Sequence, residues 1–261
     1  MENDVRLMAF KRLLDIMDEL REKCPWDRKQ TFDSLRTMTI EETYELSDAI
    51  MSKDMDEIRK EVGDILLHIV FYAKLGDEAG TFDITSVINS LCDKLVYRHP
   101  HVFADTEVKN AGEVVQNWEQ LKVKEKGGNK TILSGVPNSL PALIKANRIQ
   151  EKAAAVGFDW EQREQVWDKF QEECTELKDE ISKMDKDQME NEFGDVFFSL
   201  VNAARLYGID TETALERTNR KFIYRFTYLE QKTIRQGKSL KDMSLAEMDV
   251  IWDEAKKTEN K

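Results

Sequence analysis

Cysteine is scarce in this chain: Cys24, Cys92 and Cys174 are the only three in 261 residues. Scattered and odd in number, they exclude a disulfide framework and lack zinc-site spacing, so reduced structural thiols are expected. Four prolines and eleven glycines leave little to interrupt helices. No stretch approaches the roughly 20 apolar residues of a membrane span. The start, MENDVRLMAF, lacks the apolar core of a signal peptide. A cytoplasmic protein with no membrane partner is expected. A basic excess is also missing: the formal net charge is -12, which argues against a nucleic-acid polymer as partner. Small phosphates drawn in by a metal remain open.

What is present reads as an all-α protein. Leu, Ile, Met, Glu, Lys and Ala recur at helical spacing. Helices are predicted near 3–22, 39–52, 55–75, 83–98 and 111–126, then near 139–156, 163–183, 187–206, 211–236 and 244–257. Thr39 with Glu42 and Ser244 with Glu247 read as capping boxes at two helix starts. The run from Ile65 to Leu75 is dense enough in apolar residues for a buried strand, but its length favours a buried helix. The chain is long enough for two domains. Gly127, Gly128, Gly135, Pro137 and Pro141 concentrate turn formers in one segment. The expected division is a helical domain over 1–123, a linker over 124–141 and a second helical domain over 142–261.

The two halves share a pattern. Glu41, Glu42, Glu45, Glu61 and Asp64 reappear 131 residues later as Glu172, Glu173, Glu176, Glu192 and Asp195. Acids fill 51 of 261 positions, so such a match arises by chance on the order of 3 times in 10,000 per register. Two further matches in the same order decide for a tandem duplication. Lys94 and Arg98 correspond to Lys221 and Arg225, and Trp118 and Lys122 to Trp252 and Lys256. The offset drifts because insertions collect in loops.

Helical geometry turns this spacing into a candidate metal site. Glu42 and Glu45 share one helix face, as do Glu61 and Asp64. Lys53 lies midway between Glu45 and Glu61, and also between Glu42 and Asp64, so an antiparallel hairpin turning at Lys53 sets the acids opposite one another at matched heights. Met184 is the same pivot in the second copy. Four facing carboxylates are costly unless cations or protons neutralise them. The all-oxygen set suits magnesium, with manganese as a substitute, and lacks the Glu-x-x-His motif of di-iron bundles. His68 corresponds to Ser199 and is expected to be a packed or surface residue, not a ligand. Magnesium commonly bridges carboxylates to substrate phosphates, which points to phosphate chemistry.

Plainer readings stand beside these. A lone EExxE is usually a solvated helix face. Lys221 and Arg225 suit a triphosphate but also suit solvated charge. Trp252 with Lys256 fits either core packing with a surface lysine or a base-stacking platform with a phosphate contact. Trp26 and Trp160 are expected to be packing anchors.

In CPWDRKQTF, TIEETYEL, EVGDILLHIVFYA, YRHPHVFAD, GFDW, EECTEL, EFGDVFF and NRKFIYRF, the chain resembles the MazG nucleoside triphosphate pyrophosphohydrolases, tandem-domain members of the all-α NTP pyrophosphohydrolase superfamily. The resemblance implies magnesium-dependent hydrolysis of NTPs or dNTPs to a nucleoside monophosphate and pyrophosphate, in control of the nucleotide pool, by a homodimer. Carried onto this sequence, the metal ligands are Glu173, Glu176, Glu192 and Asp195. Glu172 orients or deprotonates the attacking water, Lys221 and Arg225 hold phosphates, and Trp252, with Lys256, lies near the nucleotide. Glu42, Glu45, Glu61 and Asp64 form the corresponding set of the first copy. The family concentrates activity in the C-terminal copy, and His99-Pro100, which should end the helix after Arg98, gives a physical reason to expect the same here. Other readings are a narrower dUTPase-like or phosphoribosyl-ATP-type specificity, a nucleotide sensor that does not hydrolyse, and a purely structural helical protein.

Overall fold

The computed structural model describes residues 4–125, 130–235 and 237–259, and no strand occurs among them. The chain divides into two compact units, Met1–Glu107 and Val108–Lys261.

In the first unit, α1 (Val5–Lys23), α2 (Phe32–Ser52), α3 (Met55–Glu78) and α4 (Ile84–Arg98) are followed by the single turn α5 (Pro100–Phe103). Asp4, Asp54 and Asp83 each accept backbone N–H groups at the start of α1, α3 and α4, satisfying donors that a helix leaves open. α2 begins seven residues earlier than the sequence predicted. Its capping box is Thr31 with Ser34, and Thr39 is interior, its hydroxyl donating back to the Leu35 carbonyl at 2.9 Å. The Thr39 box therefore fails, because a hydroxyl inside a helix bonds the preceding turn instead. Ile65–Leu75 is helical throughout.

The core of this unit is Met17 from α1, Leu35 from α2 and Val70, Phe71 and Leu75 from α3. Burying five such side chains stabilises by about 1.5–3 kcal/mol each. α2 and α3 form the closest helix pair, with α1 across α3. A Cβ on Gly76 would stand 2.6 Å from the Phe82 carbonyl oxygen, so the chain leaving α3 can fold back only over glycine.

In the second unit, α6 (Ala111–Lys124) precedes α7 (Ala142–Ala154), α8 (Gln165–Lys183), α9 (Lys186–Leu206), α10 (Thr211–Arg235) and α11 (Leu245–Glu259). α8 pairs with α9, α7 packs against α9, and α10 pairs with α11. Leu229 and Thr233 on α10 and Ile251 and Ala255 on α11 are buried, which gives that pair a four-residue seam. The Ser244–Glu247 box is present, with Glu247 N–H donating to Ser244 Oγ at 3.3 Å and Ser244 N–H to Glu247 Oε2 at 2.8 Å.

The boundary falls earlier than the linker expected at 124–141. α6 joins the second unit because buried Glu119 on α6 accepts from buried Lys152 on α7 at 2.5 Å. Gly127 and Gly128 of that linker, and Gln236 at the end of the helix predicted over 211–236, lie outside the described residues.

Candidate active site

Each acidic cluster is carried by one hairpin, and the acids and the turns of the two hairpins match position for position. Lys53 (φ 57°) and Met184 (φ 59°) close α2 and α8 in the left-handed conformation, and they are the only non-glycine residues with positive φ among those described. These are the two pivots that the sequence placed at the centre of symmetry. Asp54 then caps Asp56 and Glu57, and Asp185 caps Asp187 and Gln188, at 3.1 and 3.2 Å in both hairpins. A fixed turn fixes the register of the two helices, and with it which acids face one another.

Three acids converge in each copy. Carboxylate oxygens of Glu42, Glu45 and Glu61 lie within 4.8 Å of one another, as do those of Glu173, Glu176 and Glu192. Asp64 and Asp195, expected as fourth members, are not in these close groups. Asp64 stands near enough for its charge to act on Glu42, while Asp195 is exposed. One helical turn separates them from Glu61 and Glu192, so their shorter side chains must reach further. Glu41 and Glu172 are exposed, and Glu172 accepts from Lys169 at 3.0 Å.

Crowding leaves an electrostatic signature. Loss of water, then the charges of Asp64, Glu45 and Glu61, pushes the Glu42 carboxyl above its ordinary value. Glu176 is raised in the same way, by loss of water and then by the charge of Glu173. A buried oxygen lacks a hydrogen-bond partner at the same position in both copies, Oε2 of Glu61 and Oε2 of Glu192. Buried carboxylate oxygens are otherwise satisfied, so an orphan in each cluster fits an oxygen-ligated cation.

The sequence did not single out two lysines that touch these clusters. Lys60 donates to Glu61 at 2.8 Å and Lys169 pairs with Glu173 at 2.8 Å. Lys169 had a signal, four residues before Glu173 on one helix. Lys60 had none, because adjacent residues do not share a helix face. His68 is buried, with Nδ1 2.7 Å from Thr39 Oγ1, and burial lowers its pKa. It is a packed residue, as expected.

The cationic helices differ. α4 stops at Arg98, with Pro100 starting α5, whereas α10 continues ten residues past Arg225 to Arg235. Arg225 lies over the Trp252 ring at 5.9 Å, and Phe222 meets that ring edge-on at 5.1 Å. Trp252 is half-buried, so packing and a remaining face coexist. Lys221 is exposed on α10, and Lys256 pairs with Asp253 at 2.8 Å. Lys94 is exposed on α4. Trp118 and Lys122, matched in sequence to Trp252 and Lys256, fall in the second unit. Trp26 and Trp160 are 55% and 38% exposed, so neither is the buried anchor expected of it. The three cysteines are free thiols, and no helix of the described residues is long and apolar enough to cross a membrane.

Comparison with known proteins agrees with this layout. The family model of the MazG nucleotide pyrophosphohydrolase domain matches twice, at residues 30–103 and 162–228. Each match takes in one acidic hairpin and the helix behind it. The chain is 42% identical to the nucleoside triphosphate pyrophosphohydrolase of Escherichia coli K12, covering 95% of this chain and 97% of that protein. It is 44% identical to the nucleoside triphosphate pyrophosphohydrolase/pyrophosphatase MazG of Thermotoga maritima, over 95% and 96% of the two chains. It is 45% identical to the uncharacterized protein YabN of Bacillus subtilis, over 97% of this chain and 52% of that one.

Proposed function

This chain belongs to the MazG nucleotide pyrophosphohydrolase family, and from that premise we propose that it is a magnesium-dependent nucleoside triphosphate pyrophosphohydrolase. It splits NTPs or dNTPs into a nucleoside monophosphate and pyrophosphate and so helps control the nucleotide pool. The observation that carries this reading is the pair of matched three-carboxylate groups, each with an orphaned buried oxygen.

Glu173, Glu176 and Glu192 would hold the cation in the second copy, with Asp195 as the expected fourth ligand. Magnesium bound there would shield phosphate charge and lower the pKa of a coordinated water. Glu172 is the residue expected to orient the attacking water and accept its proton. The water oxygen joins one phosphorus as the bridging oxygen leaves with the other. Lys221 and Arg225 neutralise the triphosphate, and Trp252 stacks on the nucleotide with Lys256 beside it.

A homodimer fits the apolar surface. Val62, Leu66 and Ile69 on α3 are exposed, and so are Phe193, Phe197 and Leu200, their counterparts on α9. Contiguous apolar stripes of this kind mark association surfaces.

Pyrophosphate release from the eight standard NTPs and dNTPs with magnesium, wild type beside Glu173→Ala, tests the proposal. Turnover by wild type and its loss in the variant are expected. No product from any nucleotide would overturn it, and a nucleotide-dependent thermal shift without product would leave a sensor.

A further inference from the structure

A second cluster in the Val108–Lys261 unit has the opposite electrostatic character from the acidic sites. A cleft of about 510 Å³ is walled by one face of α6, including Val115, Trp118, Glu119 and Lys122, by Arg148, Glu151, Ala154 and Ala155 at α7, and by Arg205 of α9. At its floor a single buried carboxylate, Glu119, accepts from Lys122 at 2.6 Å, Arg148 at 3.3 Å and Lys152 at 2.5 Å. Burial pushes the Glu119 carboxyl up, but Lys122 and Lys152 outweigh it and hold it below its ordinary range. Arg148 also bonds Glu151 at 2.8 Å, and Arg205 bonds Asp159 at 3.0 Å. The lining thus carries three cations, Lys122, Arg148 and Arg205, against two carboxylates, Glu119 and Glu151, in a chain whose formal net charge is -12.

An excess of cations in a partly desolvated cleft is costly until an anion completes it. Guanidinium and ammonium donors suit a phosphate, Arg as a fork and Lys as a point charge. The tryptophan and the apolar Val115, Ala154 and Ala155 offer a flat ring a stacking surface. The volume lies in the range of small-molecule sites. We infer that this cleft binds a nucleoside phosphate, phosphate toward Lys122 and Arg148 and base toward Trp118, without a metal ion. The lining includes Arg205 of α9 but none of the acids of the α8–α9 hairpin, and the inference does not rest on the proposed hydrolysis.

The test is calorimetric titration of the full-length protein in EDTA with AMP, ribose 5-phosphate and inorganic phosphate. AMP is expected to bind wild type at least fivefold more tightly than ribose 5-phosphate. The double variant Lys122→Gln, Arg148→Gln leaves the Glu119–Lys152 pair in place and should weaken AMP at least tenfold. Trp118→Leu should remove the preference for AMP over ribose 5-phosphate while retaining phosphate binding, which keeps the test decisive if the double variant unfolds. Glu192→Gln, in the acidic hairpin, should leave AMP binding unchanged. No AMP binding by wild type, equal binding by the double variant, or loss of binding in Glu192→Gln would overturn the inference.

Discussion

The two acidic hairpins are nearly superimposable in chemistry, yet the structures behind them are not. Both turn through a left-handed non-glycine residue, both cap the second helix with an aspartate and both bring three glutamates within 4.8 Å. Behind the first, α3 is backed by a polar triad, with Thr39 Oγ1 2.7 Å from His68 and 2.6 Å from Tyr72 Oη. Behind the second, the equivalent positions are Phe170, Ser199 and Ala203. The first cationic helix stops at Arg98, while the second continues and is braced by α11. The part that gathers carboxylates is alike in the two copies and the helix that presents cations differs in length, so on the proposed function the second copy is expected to be the main catalyst.

The largest expected effect tests that division directly. Glu173→Ala should lower kcat for pyrophosphate release at least ~100-fold, in the range seen when a metal or charge-stabilising group is removed. Glu42→Ala should lower it only a few-fold. Steady-state rates of the two variants decide it, and an inverted ranking would break the comparison. Next in size is the cationic helix. Arg225→Ala should cost about 2–3 kcal/mol in kcat/KM, since it leaves phosphate charge unpaired, while Arg98→Ala should stay within about 0.5 kcal/mol. Equal losses would mean that α4, despite its length, also serves phosphate.

How legible this was in the sequence depends on the range of the interaction. The hairpins were readable because spacing, turn and capping are local: Lys53 and Met184 were located as pivots by counting residues. The early end of α4 was readable from His99-Pro100 for the same reason. The reach of Asp64 and Asp195 was not, because equal height along a hairpin says nothing of side-chain length or lateral distance. Nor was the allegiance of α6, whose Trp118 and Lys122 copy Trp252 and Lys256 in sequence while Glu119 is drawn to Lys152, a residue far along the chain. A long-range buried ion pair leaves no periodic trace in the sequence.

A smaller effect separates the two copies by stability. His68→Ala removes the partner of Thr39 in a buried network and should cost about 1–3 kcal/mol. Ser199 Oγ donates only to the Val196 carbonyl at 3.0 Å, within its own helix, so Ser199→Ala should cost under about 1 kcal/mol. Amide hydrogen exchange reads the two sites separately, with lost protection expected in α3 for the first variant and little change in α9 for the second.

The smallest effect should be equal in both copies, and that is its use. A left-handed L-residue costs about 1–2 kcal/mol, and glycine returns about 0.5–1 kcal/mol of that as unfolded-state entropy. Lys53 and Met184 are both exposed, so replacing either removes no buried contact. Lys53→Gly and Met184→Gly should therefore each stabilise by up to about 1 kcal/mol, seen as a rise in the unfolding midpoint. If the gains match, the hairpins are one device used twice, and the functional difference must lie in what is packed behind them. If one variant gains and the other loses, the turns themselves have diverged, and the contrast between the copies begins at the acids.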